Sequence, residues 1–302
     1  MQSPTAQLIM SPFIQSLRPR TLPLSMSGII LGSGLAYLSG FHFQFSVFIL
    51  AILTTLSLQI LSNLSNELGD ALKGTDADQH GRTAYGLQTG AITIPQMKRM
   101  IILFIVLSVL FGSTLVFTAF WTQSTLNSPL SPLTNTLIFL AFGALAIIGA
   151  MTYTLGKHSY GYIGLGDLGV FLFFGLLSTL GAFYLQTQTL TWEVTSCGIA
   201  IGLPCVGVLN LNNIRDMAND RLHGKHTFAS LLGPLGARVY HALLLVACLA
   251  LFAACGHLWT LLILPVWIWH VWFICQHPEN ELDKQMPVLM FTTIIVACLA
   301  IL

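Results

Sequence analysis

Two short stretches gather oxygen ligands at helical spacing. In NELGDALKGTD, residues 66–76, Asn66 and Asp70 are four apart, and Asp76 follows beyond Gly74. In NLNNIRDMANDRLHGK, residues 210–225, Asn212, Asp216 and Asp220 recur at intervals of four. Side chains four apart share a helix face, with Cβ atoms roughly 5–6 Å apart. Each stretch therefore sets an amide and one or more carboxylates in a row. Oxygen donors without paired His or Cys suit a hard cation such as Mg²⁺ better than Zn²⁺. Mg²⁺ in turn shares its shell readily with water and phosphate oxygens. Basic residues are interleaved with the acids: Lys73, Arg82, Arg215, Arg221 and Lys225. Acids and bases around one space read as a site for a metal and a phosphate.

The elements that must carry these rows are apolar. The chain has 302 residues, 55% hydrophobic and 8% charged, where soluble domains carry about 25% charged residues. That composition is an integral membrane protein's, with membrane lipid as its surroundings. A net charge of +1 gives no ground for a nucleic-acid partner. A crossing helix needs about 20 apolar residues. Nine candidates are present, at about 22–40, 45–66, 97–120, 133–154, 164–186, 192–212, 236–255, 258–275 and 285–302. No stretch is long and polar enough for a separate soluble domain. Residues 1–302 therefore read as a single membrane-embedded domain, with 1–17 a candidate interfacial segment.

With nine spans, all twelve Lys and Arg fall on one side. The positive-inside rule makes that side, and the N-terminus with it, cytoplasmic. Ten of the eleven acids lie there too, the exception being Glu193. The expected fold is all-α. The rows end the second and sixth spans, each with Asn-x-x-x-Asp, a further acid, a base and Gly. This suggests two pseudo-repeated halves whose acidic helix ends meet across a central cavity. Facing carboxylates repel, and a bound cation is the natural compensation.

Other polar residues have plainer readings. Asp78, Glu279, Glu281 and Asp283 read as solvated loop charges at helix ends, acids and bases neutralising one another. The six cysteines form no CxxC pair and read as small buried hydrophobes. His270 reads as a core or interfacial histidine. Gly32, Gly34, Gly143, Gly149, Gly175 and Gly181 lie within spans and are expected to permit close helix approach.

The two acidic stretches resemble the paired motifs of the UbiA superfamily, the intramembrane aromatic prenyltransferases. NELGDALKGTD is similar to that family's first Asp-rich element, with Glu67 standing where Asp is common. NIRDMANDRLHGKHT is similar to the second. RPRTLP (18–23), KGTD and GYIGLGDLGVFLFFG (161–175) resemble the branch that acts on 1,4-dihydroxy-2-naphthoate. The resemblance implies nine helices around a cavity and Mg²⁺ bound to the head of a polyprenyl diphosphate. Asn66, Glu67, Asp70, Asp76, Asn212, Asp216 and Asp220 become the expected metal-binding set. Asp70, Asp216, Asp220 and Lys73 become the expected catalytic set. Lys73, Arg82, Arg215, Arg221 and Lys225 are the expected diphosphate partners.

The implied reaction is prenylation of 1,4-dihydroxy-2-naphthoate with loss of CO₂, giving demethylmenaquinone, in a bacterial cytoplasmic (inner) membrane. The acceptor's carboxylate needs a cation, for which Arg20 and Lys157 are candidates. Tyr153 and Tyr160 could contact its ring or anchor the chain at the membrane edge. Asp167 could orient the acceptor or complement a helix dipole. Two rivals stand beside this: a related enzyme using 4-hydroxybenzoate, haem or chlorophyllide, and a divalent-cation or organic-anion transporter. The transporter is disfavoured because the acids cluster on one side and bases are mixed among them.

Overall fold

The computed structural model describes residues 11–75, 85–122, 128–157 and 159–302. Asp76, Asp78 and Arg82 lie outside them. Among the described residues there are nine helices long and apolar enough to cross a membrane, and no strands. They are α1 (Leu22–Leu38, the main helix of a span counted from Pro12), α2 (Phe45–Lys73), α3 (Ile94–Trp121), α4 (Pro132–Thr152), α5 (Gly166–Thr187), α6 (Trp192–Leu222), α7 (Phe228–Ala254), α8 (Leu258–Gln276) and α9 (Glu279–Leu299). The chain is an integral membrane protein. A five-residue helix, Pro12–Ser16, precedes α1 within the same candidate span, where the sequence suggests an interfacial segment.

Local chemistry sets the helix ends. Thr93 and Gln96 form a capping box at the start of α3, Ser131 accepts from the Thr134 N–H at α4, and Thr191 and Thr227 do the same for α6 and α7. Each satisfies backbone donors that the first turn leaves unpaired.

Hydropathy placed the ends of α2 and α6 too early, at about 66 and 212. Both helices continue, to Lys73 and Leu222. The apolar stretch marks only the part inside hydrocarbon, whereas backbone hydrogen bonding carries on into the interface. Gly74, at φ 74°, terminates α2, with the Thr75 N–H returning to the Asp70 carbonyl at 3.1 Å. Asp70, Asp216 and Asp220 therefore stand on helix. Likewise α7 begins at Phe228 rather than about 236, because Thr227 caps it, and Gly233–Pro234 makes a kink inside it. The first turns of α9, Glu279–Gln285, are 3₁₀.

Helix α6 is the hub. In its apolar window 78% of residues are buried, against 11% in α4, which lies on the rim. The core around α6 takes in Ile201, Leu211, Leu245, Phe252, Trp267 and Leu289. Inside it, Asn210 Nδ2 donates to the Ala237 carbonyl at 2.9 Å, and His241 and His270 meet Nε2 to Nε2 at 3.1 Å. Of the two readings for His270, core or interfacial, the core one holds.

Helix α5 lies against α6 with backbones in contact. A Cβ at Gly175 would stand 2.6 Å from Gly202 Cα and 2.9 Å from the Gly198 carbonyl oxygen. Neither neighbour is a flexible side chain, so a larger residue must push two helices apart. Gly175→Val is expected to destabilise the protein by about 1–3 kcal/mol or more, read as a lower thermal midpoint in detergent. Gly143 differs from expectation: nothing lies within 4 Å of its Cβ position, so it serves no close approach here.

Candidate functional site

The end of α2 presents Asn66, Asp70 and Lys73 toward the segment that links α4 to α5. The approach is close. A Cβ at Gly69 would stand 2.5 Å from Thr154 Oγ1, and Thr154 Oγ1 lies 3.0 Å from the Ser65 carbonyl and 3.2 Å from Asn66 Oδ1. Tyr162 of that segment donates to Asp70 Oδ1 at 2.9 Å and shares a 2.8 Å hydrogen bond with Thr75 Oγ1. Lys73 Nζ donates to Ser159 and sits 3.5 Å above the Tyr162 ring. Burial, then Asp70, push the Tyr162 phenol above its ordinary pKa, so it remains a proton donor at neutral pH.

The end of α6 supplies the second row. Asn219 Nδ2 donates to the Thr75 carbonyl at 2.8 Å, tying the two helix ends together. Arg215 grips the Asp216 carboxylate with two hydrogen bonds of 2.7 Å and reaches Asp283 at 2.6 Å. Asp220 is 1% exposed. Lys225 Nζ lies 3.3 Å from its Oδ1, to which it donates, and 3.2 Å from Oδ2. Burial works against the Lys225 ammonium, yet Asp220, then Asp70 and Asp216, outweigh it and raise its pKa above 10.5. One cation thus feels acids from both rows.

Beneath the ionic cluster lies a cavity of about 500 Å³. Asn66 and Asn212, each one turn below its Asp, line its polar end, and Phe139, Phe142, Val170, Phe173, Leu177 and Leu185 line the rest. Tyr153 and Tyr160 line it too and pack edge to face at 5.3 Å. Burial pushes the Tyr160 phenol up to about 12. Burial, then Tyr160 and Asp70, raise that of Tyr153. Both stay neutral donors. The Tyr160 hydroxyl donates to the Gly149 carbonyl at 3.1 Å. Asp167 accepts from the Tyr240 hydroxyl at 3.1 Å, a partner from α7 with no sequence signal.

The donor set fits a hard cation. Asp220 Oδ2 is buried without a hydrogen bond of its own and is offset by the Lys225 ammonium at 3.2 Å, so a metal there would share this oxygen with Lys225. Among the described residues no three His, Cys, Asp or Glu side chains converge closely enough to hold a metal alone. A cation between the rows would complete its shell with ligand oxygens, which Mg²⁺ favours.

Several expected residues sit elsewhere. Arg20 pairs with Asp283 at 3.7 Å and is 49% exposed, Lys157 is exposed, and Arg221 donates to the Ser230 carbonyl at 2.7 Å. Glu67 Oε1 accepts from the Leu87 N–H at 2.8 Å, about a quarter turn round the helix from Asn66. Asp283 bridges Arg20 and Arg215, acid and bases neutralising one another as expected at a helix end. Glu279 likewise holds Arg238 at 3.0 Å. Tyr162, Asn219 and Arg18 join the site with no spacing signal in the sequence. Arg18 lines the cavity with its guanidinium 4.3 Å above the Tyr85 ring.

The model of the UbiA prenyltransferase family matches residues 25–295. The chain is 46% identical over 243 residues to the 1,4-dihydroxy-2-naphthoate octaprenyltransferase of Escherichia coli (strain K12), covering 80% of this chain and 75% of that one. It is 38% identical over 278 residues to the Haemophilus influenzae protein of the same name, covering 89% and 87%. Among solved structures, a UbiA homologue from Archaeoglobus fulgidus bound to GPP and Mg²⁺ matches with a TM-score of 0.61 at 14% identity, covering 96% of this chain and 99% of that one. The apo form of a UbiA homologue from Aeropyrum pernix K1 matches at 0.61 and 18%, covering 91% and 97%. At these identities the likeness to the solved structures is one of fold.

Proposed function

Because the chain belongs to the UbiA prenyltransferase family, we propose that it transfers a polyprenyl group from a polyprenyl diphosphate to 1,4-dihydroxy-2-naphthoate. CO₂ is lost and demethylmenaquinone is formed. The observation that carries this reading is the stacking of an ionic cluster, fed by both rows, on the polar end of an apolar cavity. A polyprenyl diphosphate has the same division, with an ionic head and a lipid tail.

In this reading Asp70, Asp216 and Asp220, with Asn66 and Asn212, would hold Mg²⁺. Bound there, the metal supplies positive charge for the leaving group. Lys73 and Lys225 sit beside the same carboxylates and meet the negative charge that develops as the C–O bond breaks, its electron pair staying with the diphosphate. Tyr162 fixes Asp70 and keeps Lys73 above its ring. The apolar wall keeps water from the allylic cation. The acceptor carbon bearing the carboxylate then forms the new C–C bond and expels CO₂, whose bonding pair restores the aromatic ring. Tyr153 and Tyr160 are placed to contact that ring.

The basic ends of the helices, by the positive-inside rule, face the cytoplasm of a bacterial inner membrane. This is also where a water-soluble acceptor would arrive.

Purified protein, given a polyprenyl diphosphate, Mg²⁺ and 1,4-dihydroxy-2-naphthoate labelled in its carboxyl, is expected to release labelled CO₂ in step with prenylated product. Prior removal of divalent metal with EDTA is expected to abolish turnover, and added Mg²⁺ to restore it. Full turnover in EDTA would refute the metal assignment. Product with 4-hydroxybenzoate and none with the naphthoate would refute the acceptor.

A further inference from the structure

Arg18 and Gln59 carry buried polar atoms that no group among the described residues satisfies. Arg18 Nε and Nη2 and Gln59 Oε1 are shielded from solvent and lack hydrogen-bond partners. Both residues line the central cavity. Buried polar groups are nearly always paired, and exceptions gather at functional sites.

Their surroundings hold them in this state. Arg18 has left-handed backbone, φ 51° and ψ 62°, ahead of the 3₁₀ turn Pro19–Thr21, a conformation few residues other than glycine adopt. Its carbonyl accepts from Thr21 Oγ1 at 2.9 Å, and its guanidinium rests on Tyr85. Gln59 Nε2 donates to Thr21 Oγ1 and to Asn63 Oδ1, both at 3.2 Å. Asn63 Nδ2 is anchored to the Leu17 carbonyl at 2.9 Å and to Thr21 Oγ1 at 3.0 Å. This neutral collar uses the amide donors of Gln59 and leaves its carbonyl oxygen without one. Both side chains line the cavity, and a polar group bound against them would supply the partners that these shielded atoms lack.

We propose that Arg18 and Gln59 form the acceptor's recognition site, Arg18 taking an ionised carboxyl and Gln59 a neighbouring phenol, so that the protein selects an ortho-hydroxylated aromatic acid. This rests on the prenyl-transfer reading above. A planar guanidinium matches a carboxylate through two parallel N–H bonds, and a phenol is the donor that a lone amide oxygen requires. A diphosphate oxygen is the other anion that Arg18 could take. The carboxylate is favoured because the partners joined to Arg18 and Gln59 are neutral amides and hydroxyls, whereas the metal-binding carboxylates gather with Lys73 and Lys225. Arg20, two residues along, is already held by Asp283.

The test measures equilibrium binding to full-length protein in detergent, alongside steady-state constants. The probes are 1-hydroxy-2-naphthoate, 2-naphthoate, 1-naphthol and geranyl diphosphate with Mg²⁺. Arg18→Gln is expected to weaken 1-hydroxy-2-naphthoate and 2-naphthoate by about 10–100-fold, with 1-naphthol and geranyl diphosphate unchanged. Arg18→Lys should recover part of the loss. Gln59→Leu, with Arg18 intact, should weaken 1-hydroxy-2-naphthoate and leave 2-naphthoate unchanged, and this holds even if the Arg18 variants do not fold. Weaker geranyl diphosphate with unchanged naphthoate in Arg18→Gln would give Arg18 to the donor and overturn the proposal. Unchanged naphthoate affinity in both residues' variants would overturn it as well. Wild-type protein that binds 1-hydroxy-2-naphthoate through Arg18 but transfers no prenyl group would sink the prenyl-transfer reading alone.

Discussion

Asp70→Asn is expected to lower turnover by roughly 10³-fold while leaving the protein folded. The substitution keeps the shape of the side chain and an oxygen able to accept from Tyr162, which now donates at 2.9 Å. What disappears is the negative charge. That charge is one of three that bear on Lys225, and in the proposed mechanism it holds Mg²⁺ on the donor's head. Loss of a single preorganised group of this kind costs about 10²–10³ in rate. Here the same charge also attracts Lys73, so the upper end is expected. The thermal midpoint in detergent should stay near that of the parent. Tyr162→Phe gives the contrast: it removes the hydroxyl but keeps the ring under Lys73, so turnover should fall only about 10-fold. Asp70→Asn retaining a tenth or more of the parent turnover would take Asp70 out of the mechanism.

Much of the architecture was legible because the bilayer imposes it. A crossing helix must satisfy its backbone internally and stay apolar for about 20 residues, so nine spans could be counted from composition alone. The acidic rows were legible for a different reason. Spacing of four survives any error in helix boundaries, so Asn66, Asp70, Asn212, Asp216 and Asp220 could be grouped even though both helix ends were placed too early.

What stayed hidden depends on long-range pairing. Arg18 and Arg20 look equivalent in RPRTLP, but the left-handed backbone at Arg18 and the 3₁₀ turn after it part the two. Arg18 lines the cavity, and Arg20 lies on the surface beside Asp283. Arg215 resembled a free phosphate partner, yet it is held by Asp216 and by Asp283, 68 positions along the chain. Tyr162 lies in a connecting segment whose path over α2 has no periodicity to betray it. Close approach at Gly69 puts its hydroxyl on Asp70, and only the packed structure reveals that.

Lys225→Met is expected to damage stability and function together, and a second substitution separates the two. Asp220 is 1% exposed, and Lys225 stands 3.2 Å from its Oδ2. Removing one partner of a buried ion pair costs about 3–5 kcal/mol, because the other charge is left uncompensated. Lys225→Met should therefore show a clearly lower thermal midpoint. Adding Asp220→Asn removes the stranded charge, and the double variant should regain most of that stability. It should not regain turnover, having lost both a cation for the diphosphate and a carboxylate for the metal. The pH dependence has a definite sign. Neighbouring carboxylates raise the Lys225 pKa above its ordinary 10.5. Its contribution is thus fully present below 10.5 and is lost only as pH climbs through the raised value. The gap in midpoint between parent and Lys225→Met should stay constant from about pH 7 to pH 10 and narrow only beyond that. If the double variant recovered turnover along with stability, Lys225 and Asp220 would be a structural pair. The diphosphate would then have to be held by Lys73 and the Asp70 row.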